Sequence, residues 1–197
     1  MKKFLICILM CLPMMVAAQN AWEKPAEKKL VDNKYLAGAV PVVNGKVVFE
    51  TTIEAPGKKA GEIYRTLLRD LTAITKEENQ TEQSRIIIAD SVKNEICASY
   101  QEWLVFKSTA LVLDRTRFFY TIIVSCEDGK ADIKLTRIHY LYEEEREPQT
   151  FNAEEWITDE YGLKKNKMKL SRVSGKFRRK TIDRKDYLFE RFTNLLK

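Results

Sequence analysis

The chain has 197 residues, with 34 lysines and arginines against 28 acids, a single histidine and a hydrophobic fraction of 45%. That length can bury a real core and is most simply one domain. A formal charge of only +6 argues against the dense positive field a nucleic-acid binder carries, and no apolar stretch after the first eighteen residues is long enough to cross a bilayer.

Those eighteen residues read as a secretion signal. Lys2 and Lys3 form a positive start, Phe4 to Val16 is an apolar run broken only by Pro13, and Val16-Ala17-Ala18 offers small residues to a signal peptidase. Lipidation at Cys11 is the alternative, disfavoured because Met10 stands where a small residue belongs. Cleavage after Ala18 removes two lysines, so the charge falls to +4. The expected location is therefore outside the cytoplasm. Residues 19–38 are polar and read as a tether or loosely docked arm. Residues 39–197 read as the single folded domain.

Asn44-Gly45 favours a tight hairpin turn. Val47, Phe49, Thr51 and Ile53 then alternate with polar residues, the pattern of a half-buried strand. After Pro56-Gly57, the residues Ala60, Ile63, Tyr64, Leu67, Leu68, Leu71 and Ile74 recur at helical spacing. A polar loop covers 75–84. Four strand signals follow with no helix between them, at 85–89, 95–106, 116–126 and 131–142.

Asp128-Gly129 predicts a two-residue hairpin turn between the last two strands. That turn sets Val124 opposite Ile133, Ile122 opposite Leu135 and Tyr120 opposite Arg137 on an apolar face. It puts Phe119 beside Ile138 and Arg117 beside Tyr140 on the other face. An acidic loop spans 143–150. Ala153 to Tyr161 reads as a short helix stopped by Gly162. Thr181 is a candidate N-cap for a terminal helix from Ile182 to Leu196. The order β-α-β-β-β-β-α indicates an α+β fold, an antiparallel sheet of five to six strands with two main helices on one face.

The stretches PVVNGKVVFE, EWLVFK, LDRTR, RIHYLYEEER, EEWITDE and KLSRVSGKFRRKTIDRKD resemble a family of secreted proteins from Gram-negative bacteria, domain of unknown function 4468. The resemblance covers about residues 39–197 and implies a fold like that of the TATA-box-binding protein and, with the signal, a place in the periplasm or on the outer surface of a Gram-negative bacterium. It implies no activity, cofactor or catalytic residue, and fold likeness to a DNA binder does not imply DNA binding.

Arg172, Lys176, Arg178, Arg179, Lys180, Arg184 and Lys185 concentrate positive charge with one acid, Asp183, among them. They are a candidate basic surface for an anionic macromolecule. The plainer reading is a polarised, solvated lead-in to the terminal helix. His139 stands alone and is read as a packed or hydrogen-bonded strand histidine; one histidine supplies no metal site. The carboxylates of EEERE and EEWITDE read as solvated, not as a glycosidase pair. Cys97 and Cys126 form a candidate disulfide pair, with two small buried hydrophobes as the alternative. No glycine-rich phosphate loop is present.

The second sheet face, with Arg115, Arg117, Phe119, Ile138, Tyr140 and Tyr142, joins the residue types from which binding hot spots are made. The competing expectation is that the arm or residues 150–180 cover it. The functional expectation is a secreted, non-enzymatic envelope module without cofactor that binds a protein or anionic macromolecule and no nucleic acid. A hydrolase on envelope or dietary polymers would instead show a deep pocket with converging ionisable groups around His139 and Arg137. A lipid-facing envelope component would show a contiguous exposed apolar patch.

Overall fold

The computed structural model describes residues 20, 22–23 and 33–197. The expected signal sequence, with Cys11, lies outside them. A small hairpin of β1 (Val42–Val43) and β2 (Lys46–Val47) turns at Asn44-Gly45. It leads into β3 (Phe49–Glu54), α1 (Ala60–Ile74), β4 (Arg85–Asp90), β5 (Glu95–Thr109), β6 (Val112–Glu127) and β7 (Lys130–Tyr142). The short β8 (Gln149–Asn152) and the long α2 (Ser174–Leu196) complete the fold.

The main sheet is antiparallel, in the order β3-β7-β6-β5-β4, with β8 pairing to β7 beyond the end of β3. Both helices pack on one face. Tyr100 of β5 donates its hydroxyl to the Leu71 carbonyl of α1 at 2.8 Å, and the hydroxyls of Tyr140 on β7 and Thr181 on α2 are 2.6 Å apart. The buried layer between sheet and helices is largely aromatic and aliphatic: Tyr100 stacks on Tyr120 and Phe118 on Tyr140 across neighbouring strands, with Phe118 tilted against Tyr120 along β6, backed by Ile63, Leu67, Phe177, Leu188 and Phe192.

Asp128-Gly129 does turn β6 into β7, and it also starts α1. Asp128 Oδ1 accepts the Ala60 N–H at 2.9 Å, an N-cap supplied from another element. A hydrogen bond from Lys59, then the one from Ala60, hold its carboxyl below the usual range.

Three elements differ from expectation. Residues 153–161 form only a 3-10 turn, Ala153–Glu155, followed by irregular chain. The terminal helix begins at Ser174, two turns before Thr181, so Thr181 is a fully buried interior residue and no cap. Residues 149–152 add a strand where a loop was expected.

The largest difference is a β-bulge. The register from the turn holds to Thr121↔Thr136, then shifts, so that Phe119 pairs with His139, Phe118 with Tyr140 and Arg117 with Leu141. The inserted residue is Arg137, at φ +54°. One extra residue moves every later side chain to the other face. Ile138 and Tyr140 are therefore buried under the helices, and His139 and Leu141 take the positions expected for them. Deleting Arg137 is expected to straighten the ladder and expel Tyr140 from the core. The deletion should yield a protein that fails to give a cooperative thermal transition, whereas Arg137→Gly, which suits a positive φ, should melt at or above the parent temperature.

Candidate functional site

The basic stretch of α2 is not a surface. Arg178 and Arg184 are 0% exposed and Lys180 is 4% exposed. Arg178 donates from Nε to the Tyr35 carbonyl, from Nη1 to the Ile157 carbonyl and from Nη2 to the Leu36 carbonyl, at 2.7, 2.7 and 2.5 Å, and Nη2 also meets Asp159 at 2.7 Å. Arg184 lies between the layers. Its Nε bonds Glu102 of β5 at 2.8 Å and its Nη2 bonds Glu77 at 2.9 Å, beside the Trp22 ring. Glu77 also receives Arg191, which grips Asp70 of α1.

Lys180 pairs with Glu23, Lys185 with Asp186, and Lys176 with Asp114 at 2.8 Å. Only Arg172 and Arg179 of the seven are exposed. The expectation of a basic surface fails because the stretch lies inside the helix, where its spacing alternates between the core and its margins.

The described part of the arm docks. Asn20 exchanges two hydrogen bonds with the Val105 backbone at the β5 edge, and Trp22 is buried near Tyr187. β8 and the segment after it pack on α2, with Phe151 stacked on Trp156 at 3.8 Å and both against Phe177. Both lie on the helix side or the sheet edge. Among the described residues, neither the arm nor the segment 150–180 covers the second sheet face.

That face carries rows of side chains across β5, β6 and β7. One row is Trp103, Arg117 and Leu141; the next is Gln101, Phe119 and His139. The indole of Trp103 lies under two guanidiniums, those of Arg115 at 3.7 Å and Arg117 at 4.5 Å. Glu144 takes Arg117 in a bidentate pair at 2.9 and 3.0 Å, and Glu145 takes Arg115 at 3.1 Å. His139 lies flat on Phe119 with ring centres 4.3 Å apart, so it is packed as expected for a lone strand histidine. Trp103, Leu111 to Arg115, Leu141, Tyr142 and the loop 143–146 enclose a groove of about 560 Å³ at this end of the sheet.

Of the six residues expected on this face, Arg115, Arg117 and Phe119 are there. Ile138 and Tyr140 are in the core, and Tyr142 bonds Asp114 and Lys176 on the helix side. Trp103, His139 and Leu141 were missed. Trp103 was legible as the cross-strand partner of Arg117 once the β5–β6 register is known; Leu141 was hidden by the bulge.

Cys97 pairs with Ile123 in register on the open face, whereas Cys126 pairs with Ala131 in the core. Both are free. The candidate disulfide fails because the residues lie on opposite faces of one sheet, and burial pushes the Cys126 thiol up to about 11. Among the described residues no group of three or more histidine, cysteine or acidic side chains is placed to hold a metal ion, and no helix is long and apolar enough to cross a membrane.

Residues 49–141 match the family described as domain of unknown function (DUF4468) with TBP-like fold. No curated protein matches the chain. Among solved structures, a TBP-like protein from Parabacteroides distasonis is similar at 19% identity, covering 80% of this chain and 96% of that one with a TM-score of 0.62, which shows the fold alone. A DUF4468 family protein from Bacteroides ovatus is 42% identical, with 85% of this chain and 96% of that chain covered and a TM-score of 0.79. On that likeness, over nearly the whole length of the relative, the chain belongs to the DUF4468 family.

Proposed function

We propose that this protein is an exported, non-enzymatic binding module of the cell envelope that recognises a protein partner through the groove at the Trp103 end of its open sheet face. The observation that carries the reading is Trp103 held under Arg115 and Arg117 on a face that neither helix covers. Tryptophan and arginine dominate binding hot spots because they combine large apolar area with directed polarity. Here the guanidiniums are already oriented by Glu144 and Glu145, so little side-chain freedom is lost on contact.

The inward-facing basic stretch removes the main support for an anionic macromolecule and favours a protein. Glu144 and Glu145 in the groove are each engaged by an arginine, an arrangement that does not suit the proton-donating acid of a glycosidase.

A photo-crosslinking residue placed at Gln101 tests the reading in cells. The expected result is one discrete adduct that vanishes when Trp103→Ala is added and is absent when the crosslinker sits at Lys134. An adduct indifferent to Trp103→Ala, or repeated absence of any adduct, contradicts it. Turnover of an envelope polymer by the purified protein would establish the hydrolase instead.

A further inference from the structure

The β5–β6 hairpin ends in an apolar tip. Leu111 is 94% exposed, Leu113 54% and Val112 45%. Turn chemistry does not account for them. The hairpins at Asn44-Gly45 and Asp128-Gly129 use turn formers, with positive φ at Asn44, Gly45 and Gly129. The β5–β6 turn runs through Ala110 and Leu111, neither at positive φ and neither a turn former. A leucine at the apex thus serves something other than the backbone.

The arrangement suits lipid. Val112 and Leu113 are consecutive in a strand and point to opposite faces, with Leu111 just before them at the apex. The β6 side of the tip is therefore apolar on both faces, while Thr109 and Ser108 stand opposite Val112 and Leu113 on the β5 side. A protein groove receives one side of such an element, whereas an acyl layer receives every side. The first charges behind the apex, Lys107 and Asp114, face each other in register about 10–13 Å back at strand rise. Interfacial elements sink about 5–10 Å, so the tip can enter without carrying a charge below the headgroups.

The band at that level mixes both signs: Lys176 pairs with Asp114 and Arg115 with Glu145, and Lys107 is exposed beside them. Paired opposite charges complement a zwitterionic headgroup better than an anionic one. Thr109 Oγ1 accepts the Val112 N–H at 3.2 Å, keeping the turn satisfied within the tip.

We propose that Ala110–Leu113 is a membrane-insertion point that seats the protein on a zwitterionic phospholipid leaflet. Vesicle flotation tests it with purified protein and phosphatidylcholine vesicles, alone and with phosphatidylglycerol added. The wild type is expected to float with phosphatidylcholine alone, with no loss in high salt. Leu111→Asp and Leu113→Asp should each lower partitioning about tenfold or more. Val42→Asp, at the exposed valine of another hairpin, should change nothing. Trp103→Ala should leave flotation intact, so that this inference and the groove reading fail separately.

Wild-type protein that stays down with phosphatidylcholine overturns the proposal. So does flotation only with anionic vesicles that salt reverses, or equal loss in Val42→Asp. Failure to float, together with crosslinking of position 111 to a protein, reassigns the tip to a protein partner.

Discussion

Replacing Arg184 by alanine is expected to lower stability by about 3–5 kcal/mol, a fall of about 6–20 °C in melting temperature for a domain of this size. The loss comes from what stays behind. Glu102 is 0% exposed, and Arg184 is the cation bonded to it. Without the arginine, a carboxylate remains under the sheet with no cation bonded to it among the described residues, only neutral donors such as the Gln80 amide at 2.8 Å and the nearby Tyr120 hydroxyl. The double replacement Arg184→Met with Glu102→Leu should recover most of the loss, because a buried ion pair seldom outperforms well-packed apolar groups of similar volume.

The deficit has a defined pH dependence. Burial lifts the Glu102 pKa above the ordinary carboxyl value, and Arg184 opposes that lift. Removing Arg184 leaves the lift unopposed. A carboxyl whose folded pKa exceeds its unfolded one costs nothing below the ordinary value of about 4.3, where both states are protonated. Its cost grows as pH rises from there through the folded pKa. Urea melts across that range should therefore show the Arg184→Ala deficit smallest in acid and widest at neutral pH. A deficit independent of pH, or one under about 1 kcal/mol at neutrality, is incompatible with a buried Glu102–Arg184 pair.

Arg178→Ala is the second large effect, expected at about 3 kcal/mol, since a buried carbonyl left unpaired, as that of Ile157 would be, costs about 1–3 kcal/mol and the tie to Tyr35, Leu36 and Asp159 is lost with it. Three carbonyls from two separate segments converge on this guanidinium, those of Tyr35, Leu36 and Ile157. Arg178→Lys should rescue little, because an ammonium lacks the planar fork that reaches all of them. Hydrogen exchange locates the effect: the amides of Leu36 and Ala39, and of Ile157 and Gly162, should lose protection while those of β5 and β6 keep theirs. Unchanged protection in both segments would show that Arg178 does not tie them to α2.

The sheet and both helices were legible in the sequence because their signals are local. The 3.6-residue spacing from Ala60 to Ile74 and the Asp128-Gly129 turn each specify an element without reference to the rest. The bulge was not legible. Arginine has no intrinsic preference for positive φ, so Arg137 becomes the inserted residue only because it lets Ile138 and Tyr140 meet α2.

The start of α2 was misplaced because Thr181 looks like a cap. In the fold its hydroxyl meets Tyr140, and the buried stripe runs Phe177, Thr181, Arg184, Leu188, Phe192. Read back two turns, that stripe contains Arg184, which signals an inward arginine. The acids that receive it, Glu77 and Glu102, lie about a hundred residues upstream, and no periodicity points to them. The open face was half legible: Arg115, Arg117 and Phe119 follow from the β6 alternation, while His139 and Leu141 required the bulge.

The most direct test of an inward basic helix and an outward sheet face is hydroxyl-radical footprinting of the native protein, read residue by residue. On this account Phe119 and Trp103 oxidise while Phe118, Tyr120 and Phe177 are protected until the protein unfolds. Protection of Phe119 and Trp103 in the isolated chain would mean that the face is covered, and the binding surface described here would not exist.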